Sequence, residues 1–109
     1  MEADLIQLTE EARGGWGIVS ARGRADAEGA DQLETALRAA VDNHFRVAAD
    51  FAKLDYISSA GLRAVLQAAR AAQEKRVEFV VCRLSAPAQK VFDMSGMRHI
   101  LQILEDLPC

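Results

Sequence analysis

The strongest constraint on the fold is a change of hydrophobic period around the segment LDYISSAGLRAVLQAAR, residues 54–70. The short apolar run at 45–51 is typical of a buried strand, and a second strand-like run follows at 76–84. Between them, apolar side chains recur at the i, i+3, i+4, i+7 spacing of a core-facing helix: Leu62, Val65, Leu66 and Ala69. A strand, a helix and a strand in this order favour parallel strands joined by a right-handed crossover.

The residues before this unit predict a β-hairpin followed by another helix. Apolar clusters at 3–10 and 16–24 are strand-like, and the two glycines at 14 and 15 between them suit a turn. Downstream of Asp26, apolar side chains again recur at helical spacing as far as Asn43, which is a plausible end of the helix: Leu33, Ala36, Leu37 and Ala40.

The residues after this unit predict a short third helix at 85–96. Ser85 can cap its N-terminus, Pro87 suits its first turn and Gly96 suits its C-terminal turn. The apolar segment at 97–107 leaves strand and helix equally open. We therefore expect an α/β fold with an N-terminal β-hairpin, then alternating helices and strands, in a mixed sheet whose helices pack mainly on one side.

Length and charge narrow the classes of protein further. The 109 residues fit one domain, 1–109, and the 13 basic and 16 acidic side chains give a net charge of −3. This charge balance does not give the clustered basic face that would indicate a nucleic-acid partner. Neither a signal peptide nor an apolar run of about 18 residues is present. We expect a cytoplasmic protein that does not insert into membranes.

The cysteines and histidines predict neither a metal site nor a cofactor. Cys82 lies in an apolar, strand-like segment and Cys109 is the final residue, so we expect no native disulfide. His44 and His99 lack the spacing of metal ligands with each other or with the cysteines.

The two serines at the junction, Ser58 and Ser59, allow three interpretations. Ser59 fits a helix N-cap, because a serine oxygen can accept from a free N–H of the first turn. A hydrolytic nucleophile is disfavoured, since the Gly-x-Ser-x-Gly elbow and an evident histidine base are both absent from the sequence. A nucleotide-binding P-loop is disfavoured separately, because the Gly-x-x-x-x-Gly-Lys-[Ser/Thr] motif is absent. The third interpretation is phosphorylation, which would add roughly two negative charges at a helix N-terminus that tolerates them.

Three segments, in order along the chain, carry a resemblance to a known family. They are RGRADAEGADQLETAL at 22–37, LDYISSAGLRAVLQAA at 54–69 and VVCRLSAPAQKVFDMSGMRHI at 80–100. Their motifs and spacing resemble those of STAS domains, specifically the bacterial anti-sigma factor antagonists, over about residues 5–104. The resemblance implies a mixed sheet flanked by helices and a protein without catalytic activity of its own.

The same resemblance implies a partner-switching mechanism. The unphosphorylated antagonist would bind an anti-sigma factor that is also a serine kinase, and phosphorylation would release it. A metal-dependent Ser/Thr phosphatase would then restore the binding form. ATP and Mg²⁺ belong to the partners in this scheme, so no cofactor is implied for this chain.

Carried over by position, the resemblance makes Ser59 the phosphoacceptor and Ser58 a less favoured alternative. Ser58 stands where many family members carry an aspartate, and a neutral serine would orient the acceptor or contact the partner less well. Asp26 matches an acidic position near the partner's active site. The implied partner-binding residues are Asp26, Ser58, Ser59, Ala60, Gly61, Leu62 and Arg63.

Other interpretations of these residues remain open. Asp26 has the position of a helix cap, which is compatible with a partner contact. Phe92 and Met94 are interpreted as core side chains, and Ser95 as part of a helix terminus. A non-switching STAS subunit of a transporter or a signalling scaffold is the alternative function, because the aspartate is missing at position 58.

Overall fold

A five-stranded mixed sheet organises the protein. The computed structural model describes residues 5–109. Its strands are β1 (Gln7–Arg13), β2 (Trp16–Ala25), β3 (Arg46–Ile57), β4 (Glu78–Cys82) and β5 (Gln102–Leu104). Its helices are α1 (Ala27–Asn43), α2 (Ser59–Lys75) and α3 (Ala86–Ser95), with one 3₁₀ turn at Met97–His99.

The strands lie side by side in chain order, from β1 to β5. The pair β1–β2 is antiparallel, whereas β2–β3, β3–β4 and β4–β5 are parallel, and each parallel connection contains a helix. Gly14 and Gly15 form the hairpin turn with φ of 59° and 84°, the left-handed region that glycine enters without a steric penalty. The predicted hairpin and mixed sheet are therefore confirmed.

The main core lies between the sheet and the helices. Alternate residues of the central strands point to this side because successive strand side chains face opposite ways. They pack against the buried stripes of α1 and α2, and Phe51 meets Phe92 of α3 edge-on at 6.3 Å between ring centroids. All three helices contribute to this one core, as expected.

The opposite face of the sheet is covered at one end by the C-terminal segment. Its buried side chains are Trp16, Ile18, Ala48, Val80 and Cys82, with Leu104 and Leu107 packed on them. Both Cys82 and Cys109 are free thiols. Burial, with a contribution from the carboxylate of Asp50, raises the pKa of the Cys82 thiol to about 12.

Several element boundaries differ from those predicted. β1 runs to Arg13, beyond the predicted end at residue 10, while residues 3 and 4 lie outside the described part of the chain. β3 continues to Ile57, not residue 51, because its second half pairs with β2 up to Ala25. The ambiguous segment at 97–107 contains the 3₁₀ turn and β5, which pairs with the edge of β4.

The third helix has the predicted caps, but one side chain that was predicted to lie in the core is exposed. Ser85 Oγ accepts from the Ala88 N–H at 3.3 Å, and Gly96 ends the helix with φ of 76°. Phe92 is fully buried, as predicted, but Met94 is 89% exposed, so its assignment to the core is wrong. The two side chains lie two positions apart and face opposite sides of the helix.

Candidate functional site

The candidate site lies where β2 and β3 end. Ala25 and Ile57 are register partners in these parallel strands, so the residues that follow them start two adjacent helices. The Ser58 N–H donates to the Ala25 carbonyl at 2.9 Å and ties the two junctions together. The carboxyl ends of parallel strands are where open α/β sheets usually place functional groups. The predicted residues Asp26 and Ser58 are thus brought side by side.

Asp26 is the N-cap of α1, as predicted. Its Oδ1 accepts from the Gly29 N–H at 2.9 Å, while Oδ2 lies 4.0 Å from Arg24 Nε. The side chain is 38% exposed. One carboxylate oxygen therefore holds the helix terminus, and the other is directed toward the surface beside a cation.

Ser58, and not Ser59, is the N-cap of α2. Ser58 Oγ accepts from the Gly61 N–H at 3.2 Å and donates to the Ala25 carbonyl at 3.0 Å. The predicted cap at Ser59 is wrong by one residue, because β3 extends to Ile57 and Ser58 itself keeps an extended backbone, with ψ of 175°. Position 58 is therefore a capping position, which serine and aspartate fill about equally well.

Ser59 is the first helical residue of α2 and is exposed to solvent. Within residues 5–109, its hydroxyl takes part in no hydrogen bond. The first turn of α2 carries no acidic side chain, whereas α1 has Glu28 in its first turn. The partial positive charge of this terminus is thus not offset by a nearby carboxylate in its own first turn.

Gly61 allows the close approach of α2 to the sheet. A Cβ added there would lie 2.7 Å from both the Ala25 carbonyl oxygen and Ile57 Cγ1, closer than real Cβ atoms come. Gly61 is therefore buried against the ends of β2 and β3. It contributes to any partner surface only by positioning the first turn of α2. Of the remaining predicted contact residues, Ala60 and Leu62 are partly buried and Arg63 is exposed.

Arg24 and Tyr56 complete this end of the sheet, and sequence reasoning missed them. They are register partners on β2 and β3, and the Arg24 guanidinium lies 4.3 Å from the centre of the Tyr56 ring. Such cation–π pairs hold an arginine in place at a partly exposed site. Only their positions, two residues before Asp26 and Ser58, could have indicated them in the sequence.

His44 lies at the opposite end of β3 from the two serines. His44 precedes β3 and Ser58 follows it, so the whole strand, about 35 Å of extended chain, separates the two side chains. The His44 ring bonds Glu10 at 2.9 Å.

No trio of His, Cys, Asp or Glu among residues 5–109 is arranged to hold a metal ion. None of the helices in this range is long and apolar enough to cross a bilayer.

The chain is similar in sequence to a known family and to a curated relative. Residues 8–105 match the family model described as Mlab, STAS domain. BtrV of Bordetella bronchiseptica, which carries the assignment of an anti-sigma factor antagonist, is 38% identical over 99 residues, covering 90% of this chain and 85% of that protein.

Solved structures have the same fold. An anti-sigma factor antagonist from Mycobacterium paratuberculosis superposes with a TM-score of 0.85 at 24% identity, over 95% of this chain and 89% of that one. The Bacillus cell fate determinant SpoIIAA in its phosphorylated form gives 0.68 at 17% identity, over 92% and 93%.

Proposed function

The chain belongs to the STAS domain family, and from this membership we propose that it is an anti-sigma factor antagonist in a partner-switching module. It binds an anti-sigma factor serine kinase when unphosphorylated and is released when Ser59 is phosphorylated. The observation that carries the proposal is the exposed Ser59 hydroxyl at the start of α2, at the same end of the sheet as Asp26, whose carboxylate caps α1. The protein acts by binding and is not itself an enzyme.

Ser59 is the better acceptor of the two serines on physical grounds. The Ser58 hydroxyl is engaged in two hydrogen bonds that hold α2 on the sheet, so a phosphate there would break the cap. A phosphate on Ser59 would instead meet free N–H groups at the helix terminus and leave the cap in place. Phosphorylation of Ser59 is therefore compatible with an unchanged fold.

Release follows from charge at the contact surface. The proposed surface contains Asp26, Ser58, Ser59, Ala60, Leu62 and Arg63, with Gly61 beneath it. A phosphate on Ser59 adds roughly two negative charges beside Asp26, which raises the cost of desolvating this surface and repels acidic groups of the partner. A metal-dependent Ser/Thr phosphatase reverses the modification.

Two relatives support this assignment. BtrV, at 38% identity, is assigned as an anti-sigma factor antagonist, and SpoIIAA, which shares the fold, has a phosphorylated form. The ATP and Mg²⁺ needed for the transfer are supplied by the kinase.

The test combines phosphate mapping with a binding assay. The full chain is incubated with candidate anti-sigma factor kinases of its source organism and Mg-ATP, and the phosphate is located by mass spectrometry. Ser59→Ala should bind the kinase but stay unmodified, and Ser59→Asp should bind it weakly. Ser95→Ala, which removes another exposed serine hydroxyl, is the matched control. Phosphorylation of Ser59→Ala to the wild-type extent would refute the assignment.

A second function is favoured by one feature, the serine at position 58 where many family members have aspartate. Without that carboxylate the domain would serve as a constitutive subunit of a transporter or signalling scaffold. Such a subunit would co-purify with its partner whether or not ATP is present, whereas the switching antagonist would be released by ATP.

A further inference from the structure

The helix-free face of the sheet contains a polar cavity that the switch does not use. The C-terminal segment covers only one end of this face, and the rest holds a cavity of about 320 Å³ bounded by β1, β2, β3 and the residue after β4. The polar side chains around it include Thr9, Ser20, Arg22, Asp50, Lys53 and Arg83. This volume is at the lower end of the range for small-molecule sites.

A buried carboxylate fixes one cation at the edge of the cavity. Asp50 is 5% exposed, and its oxygens accept from Arg83 Nε at 3.1 Å and Nη2 at 2.5 Å. The Ala52 N–H and the Ser20 hydroxyl donate to the same carboxylate at 3.2 and 3.4 Å. Two parallel bonds hold a guanidinium in one plane, so Arg83 is pre-oriented.

The backbone at Arg83 is itself unusual. Its φ of 53° lies in the left-handed region, which non-glycine residues seldom adopt. The Arg83 N–H bonds the Leu104 carbonyl at 3.0 Å, and the Asp50 contact holds the other end of the residue. A residue in this region persists only where the surrounding structure holds it, and such residues are enriched at binding sites.

Two further cations that line the cavity lie opposite each other on neighbouring strands. Arg22 of β2 and Lys53 of β3 are register partners, and both line the cavity. Like charges directly across a ladder are destabilising. Within residues 5–109, neither Arg22 nor Lys53 forms an ion pair with a carboxylate within 4 Å. The two cations also line an adjoining groove, and Asp55 is the carboxylate in that groove.

We propose that this cavity binds a small phosphorylated metabolite through its phosphate monoester group. Three cations and one carboxylate leave the lining with an excess of two positive charges, which matches the charge of about −2 on a phosphate monoester at neutral pH. Thr9 and Gln7 on the edge strand offer neutral donors for the rest of the ligand. The site is separate from Ser59 and does not rest on the proposed switch.

The test measures binding to the full chain by calorimetry and by amide NMR shifts. The probes are glucose 6-phosphate, inorganic phosphate and the dicarboxylate succinate, each up to about 10 mM. The double variant Arg22→Gln/Lys53→Gln should lower the affinity for glucose 6-phosphate by roughly tenfold or more, since charged hydrogen bonds are lost. The control, Arg70→Gln/Lys90→Gln, removes two exposed cations from the helices and should leave it unchanged.

The outcomes separate the sources of the phosphoryl group. Saturable binding of glucose 6-phosphate with shifts at Ser20, Arg22 and Lys53 supports the proposal. Equal affinity for inorganic phosphate also supports a phosphoryl site and identifies free phosphate as sufficient. Absence of saturable binding, an equal loss in the control variant, or succinate binding as tightly as glucose 6-phosphate would overturn it.

Discussion

Replacing each of the two junction serines by alanine separates their roles, and the structure predicts different effects of the two variants on the free energy of unfolding. In Ser58→Ala the Gly61 N–H loses its acceptor and the Ala25 carbonyl loses one of two donors. The carbonyl still accepts from the backbone N–H of residue 58, so the main cost is the helix cap. A lost serine cap costs about 1 kcal/mol, and the second bond at a half-buried position brings the total to about 1–2 kcal/mol.

The measurement is urea denaturation followed by far-UV circular dichroism. In thermal denaturation of the same variant, for a domain of this length, the expected loss corresponds to a drop in Tm of about 4–9 °C. Ser59→Ala removes an exposed hydroxyl that makes no hydrogen bond within residues 5–109, and alanine is the better helix former. Its free energy of unfolding should therefore equal or slightly exceed that of the wild type.

Ser58→Asp provides a control that keeps the acceptor. An aspartate can cap the Gly61 N–H but cannot donate to the Ala25 carbonyl, so it should recover most of the stability lost in the alanine variant. If Ser59→Ala were destabilised as much as Ser58→Ala, the assignment of Ser58 as the cap would be refuted. Recovery of no stability by the aspartate would instead show that the bond to the Ala25 carbonyl dominates.

Three other predictions test the surroundings of the site. Gly61→Ala should lower the free energy of unfolding by about 1–2 kcal/mol in chemical denaturation, because the clash of the new Cβ with β2 and β3 exceeds the gain in helix propensity. A neutral effect would contradict the close contact of α2 with these strands. Iodoacetamide at pH 8 should label Cys109 and spare Cys82, since burial and a pKa of about 12 leave almost no thiolate there; rapid double labelling would show that the C-terminal segment does not cover it. Leu107→Ser should shift the fluorescence of Trp16, the single tryptophan, to longer wavelength, and an unchanged spectrum would mean that Leu107 does not shield it.

Much of the candidate site was predictable because its signals are local. The Ser-Ser-Ala-Gly segment, the position of Asp26 and the cap of α1 depend on residues within one helical turn. The structure then showed which serine caps the helix, a choice that depends on where β3 ends. That end is fixed by pairing with Ala25, a residue 33 positions away from Ser58.

The sequence by itself determined the alternation of strands and helices, the hairpin at its beginning and the family, because hydrophobic period and short motifs are properties of neighbouring residues. Tertiary structure alone decided the full length of β3 and the strand at 102–104. It also paired Arg22 with Lys53 and Asp50 with Arg83. These features arise from register between strands that are distant in the chain, and no local pattern encodes a register of that kind.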